Sequence, residues 1–223
     1  MSTASEGLLL GATPTYIDID GGNGLELIIS RPRTTLFDYT LMFWVRSVKS
    51  YDDLKFDDNI KNIKTYLFKL EKGVGCYITR YEQADGSGDG PWLICENGEY
   101  VEDMKIDLSV LPDIMAWMHI TYSANYKPLS AAGEVEAHAY LRIDISTFSK
   151  KWEGSFIPIV SNKVYYGAGG VRVAEKSDED LGFPGHYRQF WLSVGYIEDT
   201  NVPYLMHEYK VLDYSTMGYY RFD

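Results

Sequence analysis

Apolar and polar residues alternate with period two in many short stretches of the chain. The clearest are 15–20 (TYIDID), 65–70 (TYLFKL), 118–122 (MHITY) and 136–145 (EAHAYLRIDI). Such alternation is typical of β-strands that have one buried side and one side facing solvent. Two further stretches, 41–45 (LMFWV) and 190–194 (FWLSV), are apolar nearly throughout. They predict central strands that are covered on both faces.

Turn-forming residues separate these stretches. Clusters of Gly, Asn, Asp and Pro stand at 20–24, 85–90, 167–170 and 182–185. Many short strands joined by turns predict a sandwich of antiparallel sheets. The pattern leaves room for helical turns only at 109–116 and 202–212, and it predicts exposed loops at 50–62 and 125–134. Since neither a repeat nor a long linker interrupts it, we expect a single domain over residues 1–223 with its core at about 15–200.

Charge narrows the range of partners. The 223 residues carry a formal net charge of −11, and aromatic residues make up 15% of them, with 19 tyrosines. An acidic surface repels phosphate backbones, so we expect no nucleic-acid partner. The longest apolar runs fall far short of the roughly 20 residues that cross a bilayer, so we expect no direct membrane insertion. Divalent cations, neutral sugars and basic proteins suit such a surface.

The segment around residues 85–90 allows two interpretations. Residues 85–96 match the twelve-residue calcium loop in outline, with acid or hydroxyl groups at its positions 1, 3 and 5, Gly at 6 and Glu at 12. The flanks at 74–81 and 91–94, however, have the pattern of strands, and this favours a hairpin. Glu96 would then lie about 20 Å from the hairpin tip. We therefore expect Asp85 and Asp89 to form the turn, with possible calcium binding at the tip.

The same hairpin places Cys76 directly opposite Cys95. The two cysteines form either a cross-strand disulfide or a pair of buried thiols. We favour free thiols, because a direct strand-to-strand pairing strains a disulfide.

Three segments together resemble a known family. They are 37–46 (FDYTLMFWVR), 117–122 (WMHITY) and 183–194 (FPGHYRQFWLSV), and their order and spacing are similar to those of laminin G-like domains within the concanavalin A-like jelly rolls. The resemblance implies an all-β, two-sheet antiparallel jelly-roll sandwich. It also implies a non-catalytic module that binds glycans or proteins, often with calcium, inside a larger adhesion or cell-surface protein. Trp44 and Trp117 are expected to be core anchors, and His119 a satisfied core or rim histidine.

Catalytic patterns are weak in this sequence. Relatives of this fold that hydrolyse β-glucans need two carboxylates close together, as in an E-x-D-x-x-E strand, and this chain has no such run. Its four histidines are scattered over different predicted elements, without the spacing of a zinc site. We therefore expect a protein that is not an enzyme, and we keep a divergent glycoside hydrolase as the weakest alternative.

The sequence thus predicts a recognition module for a glycan or protein. Trp92, Tyr126 and Trp152 are candidates for stacking on a ligand, although packing in the core or a loop is the favoured interpretation for each. With the motif residues expected to be scaffold, the ligand site is expected in the loops 50–62, 85–90 and 174–185. The alternative is a structural subunit of a larger assembly that makes protein contacts only. The sequence has no secretory signal and no Asn-x-Ser/Thr sequon, which suits an intracellular setting as the alternative to a cell-surface one.

Overall fold

The protein is described from a computed structural model. The structure describes residues 17–19, 25–28, 34–36, 38–48, 50, 64–70, 74–79, 92–97, 104–128, 135–154, 159–161, 163–166, 181–206 and 216–220. The strands in these ranges are β1 (Ile17–Ile19), β2 (Leu25–Ile28), β3 (Thr34–Leu36), β4 (Tyr39–Ser47), β5 (Thr65–Lys69), β6 (Val74–Thr79), β7 (Trp92–Asn97), β8 (Met104–Asp107), β9 (Met118–Pro128), β10 (Val135–Ile145), β11 (Phe148–Gly154), β12 (Ile159–Ser161), β13 (Lys163–Tyr166), β14 (Leu181–Gly182), β15 (Gly185–Val194) and β16 (Thr216–Tyr220).

The strands form two seven-stranded sheets and a small pair, β3 with β12. The front sheet has the order β1-β15-β4-β9-β10-β11, and β16 also pairs with β15. The back sheet has the order β2-β13-β5-β6-β7-β8, and β14 also pairs with β5. All these pairings are antiparallel except the two-residue contact of β14 with β5. The predicted fold class, a two-sheet antiparallel jelly-roll sandwich, is confirmed.

The core lies between the sheets and is built from alternate residues of each strand. Leu41, Phe43 and Val45 of β4 point into it, and the rings of Tyr187 and Phe190 of β15 stack on Phe43 with centroids 6.0 and 6.4 Å away. Phe68 of the back sheet meets Phe43 edge-on at 5.9 Å. Each such buried side chain stabilises the fold by about 2 kcal/mol, so the aromatic cluster fixes how the sheets face each other.

The two continuous apolar stretches occupy the positions that the pattern predicted. β4 lies between β15 and β9, and β15 lies between β4 and the edge strands β1 and β16. The predicted cover on both faces holds for part of each strand: Met42 and Trp191 are buried on the outer side, whereas Trp44 is partly exposed there.

Helical structure is as short as expected. In the described part of the chain it consists of a 3-10 turn at Leu108–Val110, a second at Asp199–Asn201, and one helix, α1 (Val202–Leu205). The loop predicted at 125–134 is wrong in its first part, because β9 continues to Pro128 and pairs with Val135 at the start of β10. Ladder hydrogen bonds to β10 extend the strand beyond the point where its apolar pattern ends.

The hairpin register that places Cys76 opposite Cys95 is confirmed. The two cysteines form a disulfide on the core face of the back sheet, with their Cα atoms 4.3 Å apart. The preference for free thiols is therefore wrong. In an antiparallel ladder the directly opposed residues of a non-hydrogen-bonded pair have Cα atoms about 4.5 Å apart, which brings the two sulfur atoms together.

Candidate functional site

The outer face of the front sheet, which is turned away from the core, carries polar side chains at buried positions. Thr40 of β4 and Thr121 and Ser123 of β9 have no exposed surface at all, and Asn125 is nearly as buried. Buried polar groups need partners, and Thr40 and Ser123 are hydrogen-bonded to each other at 2.7 Å. Something must therefore cover this part of the face.

The cover is the segment that follows β15, residues 195–206, which we call the crossing segment. Its backbone is bound by side chains of the sheet: Thr40 donates to the carbonyl of Gly195, Ser123 accepts from the amide of Ile197, and Tyr140 donates to the carbonyl of Ile197. Burial is the main cause that raises the pKa of Tyr140. The neutral phenol is therefore kept as a hydrogen-bond donor to the crossing segment.

An ionic network anchors the far end of the crossing segment. Arg142 of β10 donates from Nε and Nη2 to the carboxylate of Asp144 at 2.9 to 3.1 Å, and from Nη1 to the carbonyl of Asp199 at 2.9 Å. The hydrogen bonds to Asp144 raise the pKa of Arg142. Both side chains are about nine-tenths buried. The carboxylate of Asp144 is thus used in holding Arg142, which in turn holds the crossing segment.

The other half of the outer face carries a group that we call the tryptophan–arginine cluster: Trp44, Arg46, Trp117, His186 and Arg188. Arg188 lies over Trp117, with its guanidinium carbon 4.1 Å from the ring centroid, and over Trp44 at 5.3 Å. Arg46 lies over Trp117 at 5.1 Å and donates from Nε to His186 Nδ1 at 2.9 Å. All five side chains are partly exposed. The cluster therefore combines planar groups, hydrogen-bond donors and access from solvent.

Strand register brings the cluster together. Arg188 pairs with Trp44, and His186 pairs with Arg46, between β15 and β4. Val45 pairs with Met118 between β4 and β9, so Trp117 arrives beside Arg46 at the end of that ladder. Residues from β4, from β15 and from the position just before β9, up to 188 − 44 = 144 positions apart in the chain, thus meet on one face.

A bulge in β15 lies next to the cluster. The pairing with β4 shifts register between Arg188 and Trp191, and Gln189 within this shift has a φ of 56°. A residue with a side chain is strained in this left-handed region. Trp191 is three residues after Arg188, so regular alternation without the bulge would turn Trp191 into the core. The bulge keeps both on the outer face.

His119 lies beside the cluster, as the residue of β9 that pairs with Trp44 of β4. It is buried, contacts Trp44 edge-on with ring centroids 5.0 Å apart, and its Nδ1 is 3.4 Å from the hydroxyl of Thr121. This agrees with the expectation of a satisfied histidine. His119 thus packs against the side of the Trp44 ring.

The expectation that Trp44 and Trp117 are core anchors is wrong. Both are only partly buried and lie on the outer face, because Val45 and Met118 occupy the adjacent core positions. The strand containing Trp44 is apolar on both sides, so its sequence does not show which side is the core. One feature of the sequence did indicate the outer face. Trp44 and Arg46 are two residues apart and share a face with each other, and so do His186 and Arg188.

The residues predicted to bind ligand are not brought together by the structure. Trp92 packs against Tyr66, Tyr77 and Ile94 on the outer face of the back sheet. Trp152 packs against the main core, with the ammonium group of Lys150 5.3 Å from its ring centroid.

The other three predicted residues give no side-chain geometry. The backbone at Tyr126 pairs with Ala137 within β9 and β10, and Asp85 and Asp89 lie outside the described residues. So do residues 51–62 and 174–180 of the other two predicted loops.

Two features are absent from the described residues. No group of three or more His, Cys, Asp or Glu side chains that could hold a metal ion occurs among them. None of the helices in the same ranges is long and apolar enough to span a bilayer.

The fold and the cluster define a jelly-roll sandwich with one half-open, polar and aromatic sheet face. No known family profile matches the sequence, and no curated protein matches it. Among solved structures, the chain is similar to the full-length tailspike protein 2 of Escherichia coli O157:H7 bacteriophage CAB120, with 11% identity and a TM-score of 0.50. The match covers 94% of this chain and 28% of the tailspike. This likeness shows a shared fold alone.

A second similar structure is the native heptameric SAP-like pentraxin of Limulus polyphemus. The identity is 8%, the TM-score is 0.46, and the match covers 91% of this chain and 90% of the pentraxin.

Proposed function

We propose that this chain is a non-catalytic binding module that holds a glycan on the outer face of its front sheet. The observation that carries the proposal is the tryptophan–arginine cluster, which is partly exposed on a sheet face whose other half is closed by the crossing segment. We therefore propose that the ligand binds at this cluster and not at the loops where the sequence led us to expect it. The laminin G-like resemblance of segments 37–46, 117–122 and 183–194 supports the same class of function.

The chemistry of this half of the face suits a sugar better than a protein surface. Rings, guanidinium groups and an imidazole can pack on the apolar side of a pyranose and also satisfy its hydroxyls. Protein interfaces also use tryptophan and arginine, but at the centre of a patch of buried apolar contacts. In the described part of the chain, the large apolar side chains that are exposed are Val48, Val110, Met115 and Tyr204, and none belongs to the cluster.

The proposal is tested by binding to a glycan array, followed by titration of a retained glycan. Trp117→Ala removes a ring at the centre of the cluster, so we expect the affinity to fall about tenfold or more. Trp117→Phe should retain part of it. The matched control is Trp92→Ala, which removes a half-buried ring from the opposite sheet and should leave the affinity unchanged.

Circular dichroism and thermal melting establish that the variants are folded. Loss of binding in Trp92→Ala with full binding in Trp117→Ala would move the site to the hairpin side of the molecule. Absence of any retained glycan would contradict the proposal as a whole.

A second candidate function is a contact unit of a larger assembly. Val48 and Met115 are exposed at one end of the sandwich, where the amide of Ser47 donates to the carbonyl of Ile114 and joins their two segments. Val110 is exposed in the same 108–117 region. Met115→Lys should abolish such a contact and leave glycan binding intact, which separates the two candidates in one pull-down experiment.

A further inference from the structure

We propose that the edge strand β11 binds an extended segment of a partner protein, which adds to the front sheet as a further strand. The segment carries one carboxylate side chain between two apolar ones, at every second position. This interaction surface lies at the side of the sandwich and does not depend on the glycan site, which is on the outer face at β4 and β15.

β11 is an open edge of the front sheet. It pairs with β10, and in the described part of the chain no strand pairs with its other side. None of its seven residues is buried, and Ser149, Lys150, Lys151 and Glu153 are exposed. β8, the last strand of the back sheet, lies near β11 but leaves these residues exposed. An exposed edge offers amide and carbonyl groups with which another strand can pair.

The turn before β11 shows which backbone groups face the open edge. Residues 146–147 form a two-residue turn, which is closed by the directly opposed residues Ile145 and Phe148. The pair that closes such a turn is hydrogen-bonded, and every second pair along the ladder is hydrogen-bonded in the same way. Phe148 and every second residue after it therefore bond to β10. The amides and carbonyls that point to the open edge belong to Ser149, Lys151 and Glu153.

On its core side, β11 presents two rings with an ammonium group between them. Phe148 and Trp152 pack against the core but are only partly buried. Lys150 stands between them and is exposed, with its Nζ 5.3 Å from the ring centroid of Trp152. Side chains that are directly opposed on neighbouring strands lie about 5 Å apart. A partner strand therefore matches these three groups with an apolar, an acidic and an apolar residue.

The two lysines of β11 differ in how their charges are balanced. Lys151 Nζ is 2.7 Å from a carboxylate oxygen of Glu153 and 3.7 Å from one of Asp199. Among the described residues, no carboxylate pairs with Lys150. The partner thus meets an unbalanced charge at Lys150. Because the chain as a whole has a formal net charge of −11, a partner with one well-placed carboxylate fits better than a densely acidic one.

A second copy of the chain fits this edge poorly. When two copies of β11 pair antiparallel over their full length, the pairing is centred on Lys151, which then lies opposite its own copy. Pairing centred on Lys150 does the same for that residue. Like charges that are directly opposed destabilise a sheet, and lysines on an edge strand oppose self-pairing in this way. The edge therefore favours a different chain that carries the opposite charge.

The test is a fluorescence anisotropy titration of the whole chain into a labelled, end-capped peptide of sequence TVTETVT. The peptide reads the same in both directions, so it can place its glutamate opposite Lys150 in either strand orientation. We expect it to bind about tenfold or more tightly than TVTKTVT, which meets Lys150 with a like charge. The glutamate peptide with all its amides N-methylated should not bind, because it cannot pair as a strand.

Two variants of β11 separate charge from strand pairing. Lys150→Glu should reverse the preference, so that TVTKTVT binds more tightly than TVTETVT. Lys151→Pro removes an amide that points to the open edge, a position where an edge strand tolerates proline. It should abolish binding of both peptides, whereas Lys151→Gln should keep the preference for glutamate.

The matched control is Lys105→Glu. It makes the same change of charge at an exposed position of β8, the last strand of the back sheet, and it should keep the preference for the glutamate peptide. Thermal melting establishes that the variants are folded. If Lys151→Pro is not folded, the N-methylated peptide and Lys150→Glu still decide the outcome.

The proposal is overturned if TVTETVT does not bind, if both peptides bind equally, or if Lys150→Glu keeps the original preference. A preference that is lost in Lys105→Glu and kept in Lys150→Glu would move the surface to β8. A dimer in sedimentation that dissociates in Lys151→Pro would show that a second copy occupies the edge. The glycan proposal is tested separately, because Trp117→Ala should leave peptide binding unchanged and Lys150→Glu should leave glycan binding unchanged.

Discussion

At the scale of single residues, Gln189 is the most unusual position near the proposed site. Its φ of 56° lies in the left-handed region, and neither Gly nor Asn marks the position in the sequence. The positions of Trp44 and Trp117 are not marked in the sequence either, because strand register decides them. Their place on the outer face depends on pairing between β4, β9 and β15, which local alternation cannot specify. The sequence therefore predicted the strands but not the site.

Gln189→Gly should stabilise the protein by about 0.5–1 kcal/mol, because glycine adopts the left-handed conformation without a steric penalty. The gain is limited by the greater freedom of glycine in the unfolded chain. Urea unfolding measures it. Lys150→Gly, at an ordinary strand position, should instead destabilise by a similar amount. Equal losses in both variants would show that Gln189 is not strained.

At the scale of elements, the hairpin of β6 and β7 was the most predictable part of the fold. Its strands and the pairing of Cys76 with Cys95 followed from the sequence, since the apolar pattern of the two strands restricts the register in which they can pair. The bond between the cysteines did not follow, because it depends on the separation of two particular Cα atoms. The extent of β9 was also missed, since its end is set by the ladder to β10.

The disulfide gives a prediction for this hairpin. The two cysteines are 19 residues apart in sequence, and closing a loop of this size stabilises a fold by about 3 kcal/mol in the chain-entropy treatment. Reduction should lower the free energy of unfolding by that amount in urea titrations with and without reductant. The double variant Cys76→Ala/Cys95→Ala should not respond to reductant. Two titratable thiols in the denatured, unreduced protein would contradict the bond.

At the scale of the whole molecule, the tyrosines of the core determine the response to alkali. Tyr39, Tyr122 and Tyr187 are fully buried, and burial is the main cause that raises the pKa of each phenol. A phenol whose pKa is raised in the folded state makes its full contribution to stability at pH values below its pKa in the unfolded state, about 10. Above that value the unfolded chain releases protons, so the stability falls as the pH rises further.

We therefore expect tyrosinate absorbance to increase in a cooperative step together with loss of circular dichroism. Tyr122→Phe removes one buried phenol. Once the stability of the variant at neutral pH is allowed for, this step should therefore occur at a higher pH than in the unchanged protein. Tyr204→Phe, at an exposed position, should not. Complete ionisation of the tyrosines in a protein that retains its circular dichroism would show that the phenols are accessible.

The edge of the front sheet has a consequence for how this fold can be placed within a longer polypeptide. β1 and β16 pair with the same side of β15, and Ile17 pairs with Tyr187 while Tyr220 pairs with Phe190. The start of the first strand and the end of the last are thus about 10 Å apart along β15, at ~3.3 Å per residue. A fold whose entry and exit points are neighbours can be inserted into a loop of a host protein or circularly permuted with a short linker, and in either case the tryptophan–arginine cluster would stay intact.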